Sequence, residues 1–158
     1  MITVSSPVSG RAVGLAQVPD PVFAGSMVGP GTAVDPVRAP AAALAPVDGT
    51  IVSLHPHAFV VLDDHGHGVL THLGIDTVQL AGEGFRVLVA KGDTVVRGRP
   101  VIEWDPAAVA AAGRSPVCPV VALEATAEAL TGLADGREVR AGDTLFHWTS
   151  TATESEGA

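Results

Sequence analysis

The chain has 158 residues, 17 of them acidic against nine basic, for a formal net charge of −8. Its one lysine, Lys91, and eight scattered arginines form no basic stripe, which argues against a nucleic-acid binder and suits a partner with a basic face. With 47% hydrophobic residues, only 4% aromatics and no tyrosine, the core must be built from Val, Leu, Ile and Ala, and 18 Gly with 12 Pro favour many short strands over long helices.

In chain order, Ile2–Val4 reads as a strand, residues 6–10 as a turn, and Arg11–Val18 as a second strand. Asp20 followed by Pro21 marks one helical turn, with the aspartate as cap and the proline at the first helical position. The Pro-, Gly- and Ala-rich span 30–46 fits either a meandering loop or strand edges. Asp48-Gly49 turns the chain into Thr50–Val52. Phe59–Leu62 and Val69–Leu73 pair as a hairpin around the tip 63–68. Further strands are expected at 85–88, 101–104, 117–123 and 144–148. One helix is expected from Pro106 to Ala112, capped by Asp105 and ended by Gly113, and a short second one over 125–130. Ala90–Val95 echoes Arg140–Leu145, which suggests internal pseudo-symmetry. The fold expectation is all-β, an antiparallel sandwich or flattened barrel with one or two short helices. A single domain over 1–148 is expected, with 149–158 a small, polar, disordered tail.

Cys118 is the only cysteine, which excludes an intrachain disulfide and leaves a buried, inert thiol as the expectation. Met1–Val13 has no basic stretch followed by an apolar one, and no apolar run reaches the ~20 residues of a spanning helix. The expectation is a cytoplasmic protein, not embedded in a membrane. His65 and His67 are read as a solvated hairpin tip, since a metal site there would need a third ligand that the sequence does not identify.

Two histidines carry the chemistry. His57 opens the run His-Ala-Phe, and fifteen residues on His72 opens His-Leu-Gly-Ile-Asp-Thr-Val. If the hairpin closes at 64–68, the two become cross-strand neighbours or near diagonals. An imidazole near neutral pH serves as nucleophile, base or metal ligand.

These runs, with Gly82-Glu83-Gly84-Phe85, Val18–Ala24, Ala45–Ile51 and Pro116–Val121, resemble the glucose-type IIA component of the bacterial phosphoenolpyruvate-dependent sugar phosphotransferase system. The resemblance covers about Ile2–Trp148 and implies that family's duplicated β-sandwich motif. It implies a phosphoryl relay in which His72 takes the group from the phosphohistidine of the carrier HPr and passes it to a cysteine of a permease IIB domain. His57 would be the partner imidazole, an N–H donor to the phosphoryl oxygens. Asp20 and Asp76 would flank the site and meet basic residues of the carrier. Val22, Phe23, Met27, Leu70 and Val78 would form an apolar docking rim, with a core role as the competing reading for each. Free proteins of this kind also regulate transporters or enzymes. The sugar is not encoded: glucose, N-acetylglucosamine, maltose and β-glucosides are all compatible.

No cofactor or resident metal is expected. His57 and His72 offer two nitrogens, so a zinc ion there would need a partner's carboxylate. The chain departs from the family at His55, where a threonine is common. His55 either replaces that residue's hydrogen bond to the partner histidine or points to solvent, and solvent is the expectation. Two other readings compete. A biotinyl- or lipoyl-type carrier would use Lys91, but Ala90 precedes it rather than Met or Asp. A lysostaphin-like zinc peptidase would need a His-x-His pair near the C-terminus, where His147 stands alone.

Overall fold

The computed structural model describes residues 1–149. Strands dominate: β1 (Ile2–Ser5), β2 (Gly10–Gly14), β3 (Gly31–Pro36), β4 (Ala41–Leu44), β5 (Gly49–His55), β6 (Ala58–Leu62), β7 (Gly68–His72), β8 (Phe85–Val87), β9 (Thr94–Val95), β10 (Pro100–Trp104), β11 (Cys118–Ala122), β12 (Leu130–Thr131), β13 (Glu138–Val139) and β14 (Thr144–Trp148). Helix α1 (Pro21–Ala24) follows β2 and α2 (Pro106–Ala111) follows β10. Eight strands form one sheet in the order β13-β2-β3-β11-β7-β6-β5-β9. Two three-stranded sheets, β1-β14-β12 and β4-β10-β8, complete the molecule. The pairings between these strands are antiparallel, and among the described residues no sheet closes on itself, so the architecture is the open sandwich rather than the flattened barrel.

The eight-stranded sheet is symmetric about the β11–β7 ladder, because β13, β2 and β3 on one side match β9, β5 and β6 on the other. Backbone bonds repeat the symmetry. Ala12 is bracketed by Gly136 and Arg137 as Ile51 is by Gly92 and Asp93, and Ser6 by Gly142 and Asp143 as Ala45 is by Gly98 and Arg99. The halves also bond reciprocally, Ser5 N–H to Pro46 O and Leu44 N–H to Pro7 O, each at 2.9 Å. The echo of 90–95 in 140–145 is therefore one of turn chemistry, not of position. Asp93 and Asp143 each accept a bond from the backbone N–H three residues earlier. The true counterpart of Gly92 is Gly136, and that of Gly98 is Gly142.

The larger core lies between the sheets and contains Val4, Val34, Ile51, Phe59, Val61, Val69, Val101, Ile102, Leu145 and Phe146. A smaller core lies on the other face of the central strands, where Leu15, Val18, Phe23, Ile75, Val117 and Val121 pack with Leu70 and Leu123. Alternation divides each central strand between the two: Val120 faces the first and Val121 the second, as Val69 and Leu70 do on β7.

Several expectations need correction. The strand expected over 11–18 stops at Gly14 and turns through a 3₁₀ segment, Leu15–Gln17, which delivers Leu15 to the smaller core. The span 30–46 holds two strands, and β3 is central, paired with both β2 and β11. The helix expected over 125–130 is only a 3₁₀ turn, Ala127–Ala129, without a side-chain cap, because Leu130 leaves it to pair with Trp148. The tip 63–68 is not wholly solvated. His67 is 9% exposed, its Nδ1 lies 2.9 Å from Asp63 Oδ2, and its ring meets Trp148 edge-on at 4.6 Å. Burial alone would raise the Asp63 carboxyl, but hydrogen bonds from His67 and from the His65 N–H hold it below its ordinary value. Of the expected tail, 150–158 lie outside the described residues, whereas the Thr149 N–H donates to Ala129 O.

The symmetry-related glycines Gly10 and Gly49 cross neighbouring backbone so closely that a Cβ would stand 2.1 Å from Asp35 O or 2.3 Å from Leu62 O. Gly10→Ala and Gly49→Ala should each lower the unfolding free energy by about 1–3 kcal/mol in urea titrations.

Candidate active site

The β6–β7 ladder pairs Ala58 with His72, and His57 lies one residue beyond, in the two-residue turn Pro56-His57 between β5 and β6. The Leu73 N–H extends the ladder by donating to His57 O at 2.7 Å. The histidines are thus near diagonals. Their rings meet edge-on with centroids 5.2 Å apart.

The segment after His72 is built residue by residue to aim that ring. Leu73 is buried in the larger core and Ile75 in the smaller one, which pins the chain on both sides of Gly74. The Ile75 N–H donates to Ser115 O, and Thr77 Oγ1 donates back to Leu73 O. Gly74 takes φ of +81°, and a Cβ there would stand 2.6 Å from Thr77 Cγ2, so only glycine fits. This turn brings Gly74 O to 2.6 Å from His72 Nδ1. A carbonyl only accepts, so Nδ1 carries the proton and Nε2 keeps its lone pair.

Burial is the main influence on His72 and holds its imidazole below its ordinary pKa, against the Gly74 bond and the charges of Asp20 and Asp76. Burial, then the charge of His72, then that of His55, lower His57 as well. Both rings are therefore neutral near pH 7, the state in which an imidazole nitrogen attacks. The stability these neutral rings contribute is present above the ordinary histidine pKa and is lost as pH falls from there toward the depressed values.

Asp20 has two roles at once. Its Oδ1 accepts from the Val22 N–H at 2.9 Å and caps α1, and its charge reaches His72. Asp76 is exposed and left-handed (φ 59°), a conformation costly for a non-glycine residue. It makes no side-chain cap to the turn it precedes. Of the expected rim, Val22, Met27 and Val78 are 41%, 73% and 63% exposed. Phe23 is not on a rim: it is 8% exposed, lies in the smaller core, and its ring packs 5.3 Å from that of His72. Leu70 is half-buried against the same core.

The description of a known family matches residues 2–127: phosphoenolpyruvate-dependent sugar phosphotransferase system, EIIA 1. The chain belongs to this family. Among its relatives is a glucose-specific EIIA component of Bacillus cereus, 37% identical over 121 residues, 75% of this chain and 72% of that one. Two longer relatives are the glucose-specific EIIBCA component of Corynebacterium glutamicum and the N-acetylglucosamine-specific EIICBA component of Klebsiella pneumoniae. They are 38% and 42% identical over 79% and 90% of this chain. The chain spans only 18% and 22% of their lengths. The glucose permease IIA structure from Mycoplasma capricolum superposes with a TM-score of 0.84 at 32% identity, covering 92% of this chain and 94% of that one. Membership of the EIIA family sets aside the biotinyl or lipoyl carrier and the zinc peptidase.

The sequence reading missed Val52, Val60 and Leu62, which with Met27 and Leu123 line an open apolar cleft of about 620 Å³. Ala58, Val60 and Leu62 share a face with His72 and Leu70 through the β6–β7 register. The signal was there: the outward positions of β6 are as apolar as the inward ones, which a solvated sheet face does not need. Another cleft, of about 730 Å³, lies among Thr3, Asp48, Thr50, Asp63 and Thr94 and includes neither site histidine. Among the described residues no group of three or more His, Cys, Asp or Glu is placed to hold a metal ion, and no helix is long and apolar enough to cross a membrane.

Histidine NMR titrations should place the midpoints of His57 and His72 below the ordinary value. Asp20→Asn keeps a capping side chain but removes the negative charge, so it should move the His72 midpoint further down.

Proposed function

We propose that this EIIA chain is a cytoplasmic phosphocarrier with His72 as its phosphoryl acceptor. The Nε2 lone pair attacks phosphorus, the N–P bond of the donor phosphohistidine breaks, and its electron pair stays on the donor ring. HPr is the proposed donor. In the second half-reaction a cysteine thiolate of a permease IIB domain attacks the phosphoryl group, and the N–P electron pair returns to Nε2. The chain is thus a phosphotransferase component that needs no metal: positioning and charge neutralisation carry the transfer.

The observation that carries this reading is the Nδ1–Gly74 bond, which leaves Nε2 unprotonated beside a second imidazole. His57 is the proposed donor to the equatorial oxygens. Asp20 and Asp76 supply negative charge for a basic partner, while Val22, Met27 and Val78, extended by Val52, Val60 and Leu62, supply apolar area. Phe23 and Leu70 support this surface from below. A IIB acceptor is supported by relatives whose names join A to B and C components in one chain. Glucose is the sugar named for several relatives, and regulated transporters or enzymes are further candidate partners.

Incubation with phosphoenolpyruvate, enzyme I and HPr, followed by intact-protein mass spectrometry, should show an acid-labile phosphoryl adduct on the wild type and none on His72→Gln. His57→Gln should accept the group but pass it to a IIB domain slower by roughly a hundredfold or more. An adduct on His72→Gln would overturn the assignment of the acceptor.

A further inference from the structure

His55 stands beside the pair. Its ring centroid lies 5.8 Å from that of His57, with the planes 32° apart, and His57 in turn meets His72 at 5.2 Å. The β5–β6 hairpin fixes this file of three imidazoles. His55 pairs with Ala58 across the hairpin, Pro56 locks the turn between them, and Ala58 pairs with His72. Exposure falls along the file: His55 is open to solvent, whereas His57 and His72 are partly buried.

The groups facing the file are unevenly placed. His72 has the charges of Asp20, from the α1 cap, and Asp76, from the loop after β7. The groups that bear on the charge of His57 are His72 on one strand and His55 on another. Gly82, followed by the exposed Glu83, packs toward Pro56 rather than the rings. Among the described residues the His57 ring has no hydrogen bond to a protein atom, and Thr3–His147 and Asp63–His67 hold the other ring bonds. Burial holds the His57 imidazole low first, and its two imidazole neighbours, His72 and then His55, are the charges that lower it further.

We infer that His55 is a positioning residue of the relay: it adds to the burial that disfavours a proton on His57 in the resting chain and shares positive charge with it once a phosphoryl group sits on His72. The inference rests on His72 being the phosphoryl acceptor. Two adjacent imidazolium ions repel, so a proton on solvated His55 disfavours one on His57. A phosphoryl group brings about −1.5 to −2 charges to the file and reverses that preference. As the bond from Nε2 to phosphorus forms and the donor bond breaks, His55 and His57 take protons from water. They return them when the group leaves. His55 makes no bond to phosphorus.

The test is NMR titration of the histidines in wild type, His55→Gln and His55→Lys, before and after phosphorylation by phosphoenolpyruvate, enzyme I and HPr. In the unphosphorylated protein, His55→Gln should raise the His57 midpoint by about 0.5 pH unit, the scale of a like-charge interaction at this distance. His55→Lys, which keeps a cation at the site, should leave that midpoint depressed. Phosphorylation of the wild type should raise the midpoints of both His55 and His57. A His57 midpoint unmoved in His55→Gln, or a His55 midpoint unmoved by phosphorylation, would overturn the inference. Failure of every form to accept phosphoryl overturns the acceptor reading instead, and the resting titrations then still decide whether His55 governs His57.

Discussion

The contact between His72 Nδ1 and Gly74 O organises the whole site. It is short, it fixes the tautomer, and it holds the ring against the rotation a side chain at a strand end would otherwise enjoy. Making it requires a carbonyl two residues downstream to fold back. That in turn requires a left-handed glycine, a leucine anchored in one core and an isoleucine anchored in the other. His72, Leu73, Gly74, Ile75 and Thr77 each have a duty in this turn, and Asp76 adds its charge to His72, which explains in physical terms why the run is so distinctive.

The scaffold behind the turn is two similar halves joined along β7 and β11. They treat their outer faces differently. The connection from β2 to β3 is long, carries the 3₁₀ segment and α1, and covers its half with the smaller core. The matching connection from β5 to β6 is the two-residue turn that presents His57, so Val52 and Leu62 stay exposed and Val60 half-buried. One half therefore shields His72 with Phe23, and the other offers open apolar surface beside it. The asymmetry places the partly buried His72 at the boundary between covered and uncovered sheet.

Much of this was legible in the sequence. The caps of α1 and α2, the β6–β7 hairpin and the proximity of His57 and His72 follow from local chemistry and strand period. The span 30–46 was not legible, because β3 is covered on both faces, Val34 by the larger core and Ala33 by the smaller, and so loses the alternation by which a strand is recognised. The short strands β9, β12 and β13, of two residues each, carry no period at all. His67 was misread because Trp148, which packs against its ring, arrives only with the C-terminal strand, whereas Asp63 lies within the tip itself. Phe23 was placed on the rim by the family resemblance, with core as the competing reading, and its short Pro-flanked stretch gives no period to show which way it turns.

Cys118 has a further consequence. It is fully buried beside the site's turn, its Sγ lies 3.4 Å from Pro116 O, and burial pushes its thiol up to about 12. The proposed acceptor of the phosphoryl group is itself a thiolate, so an ionised cysteine this near would compete for the cargo. Sealed and protonated, Cys118 offers no thiolate to a phosphoryl group on the proposed carrier histidine.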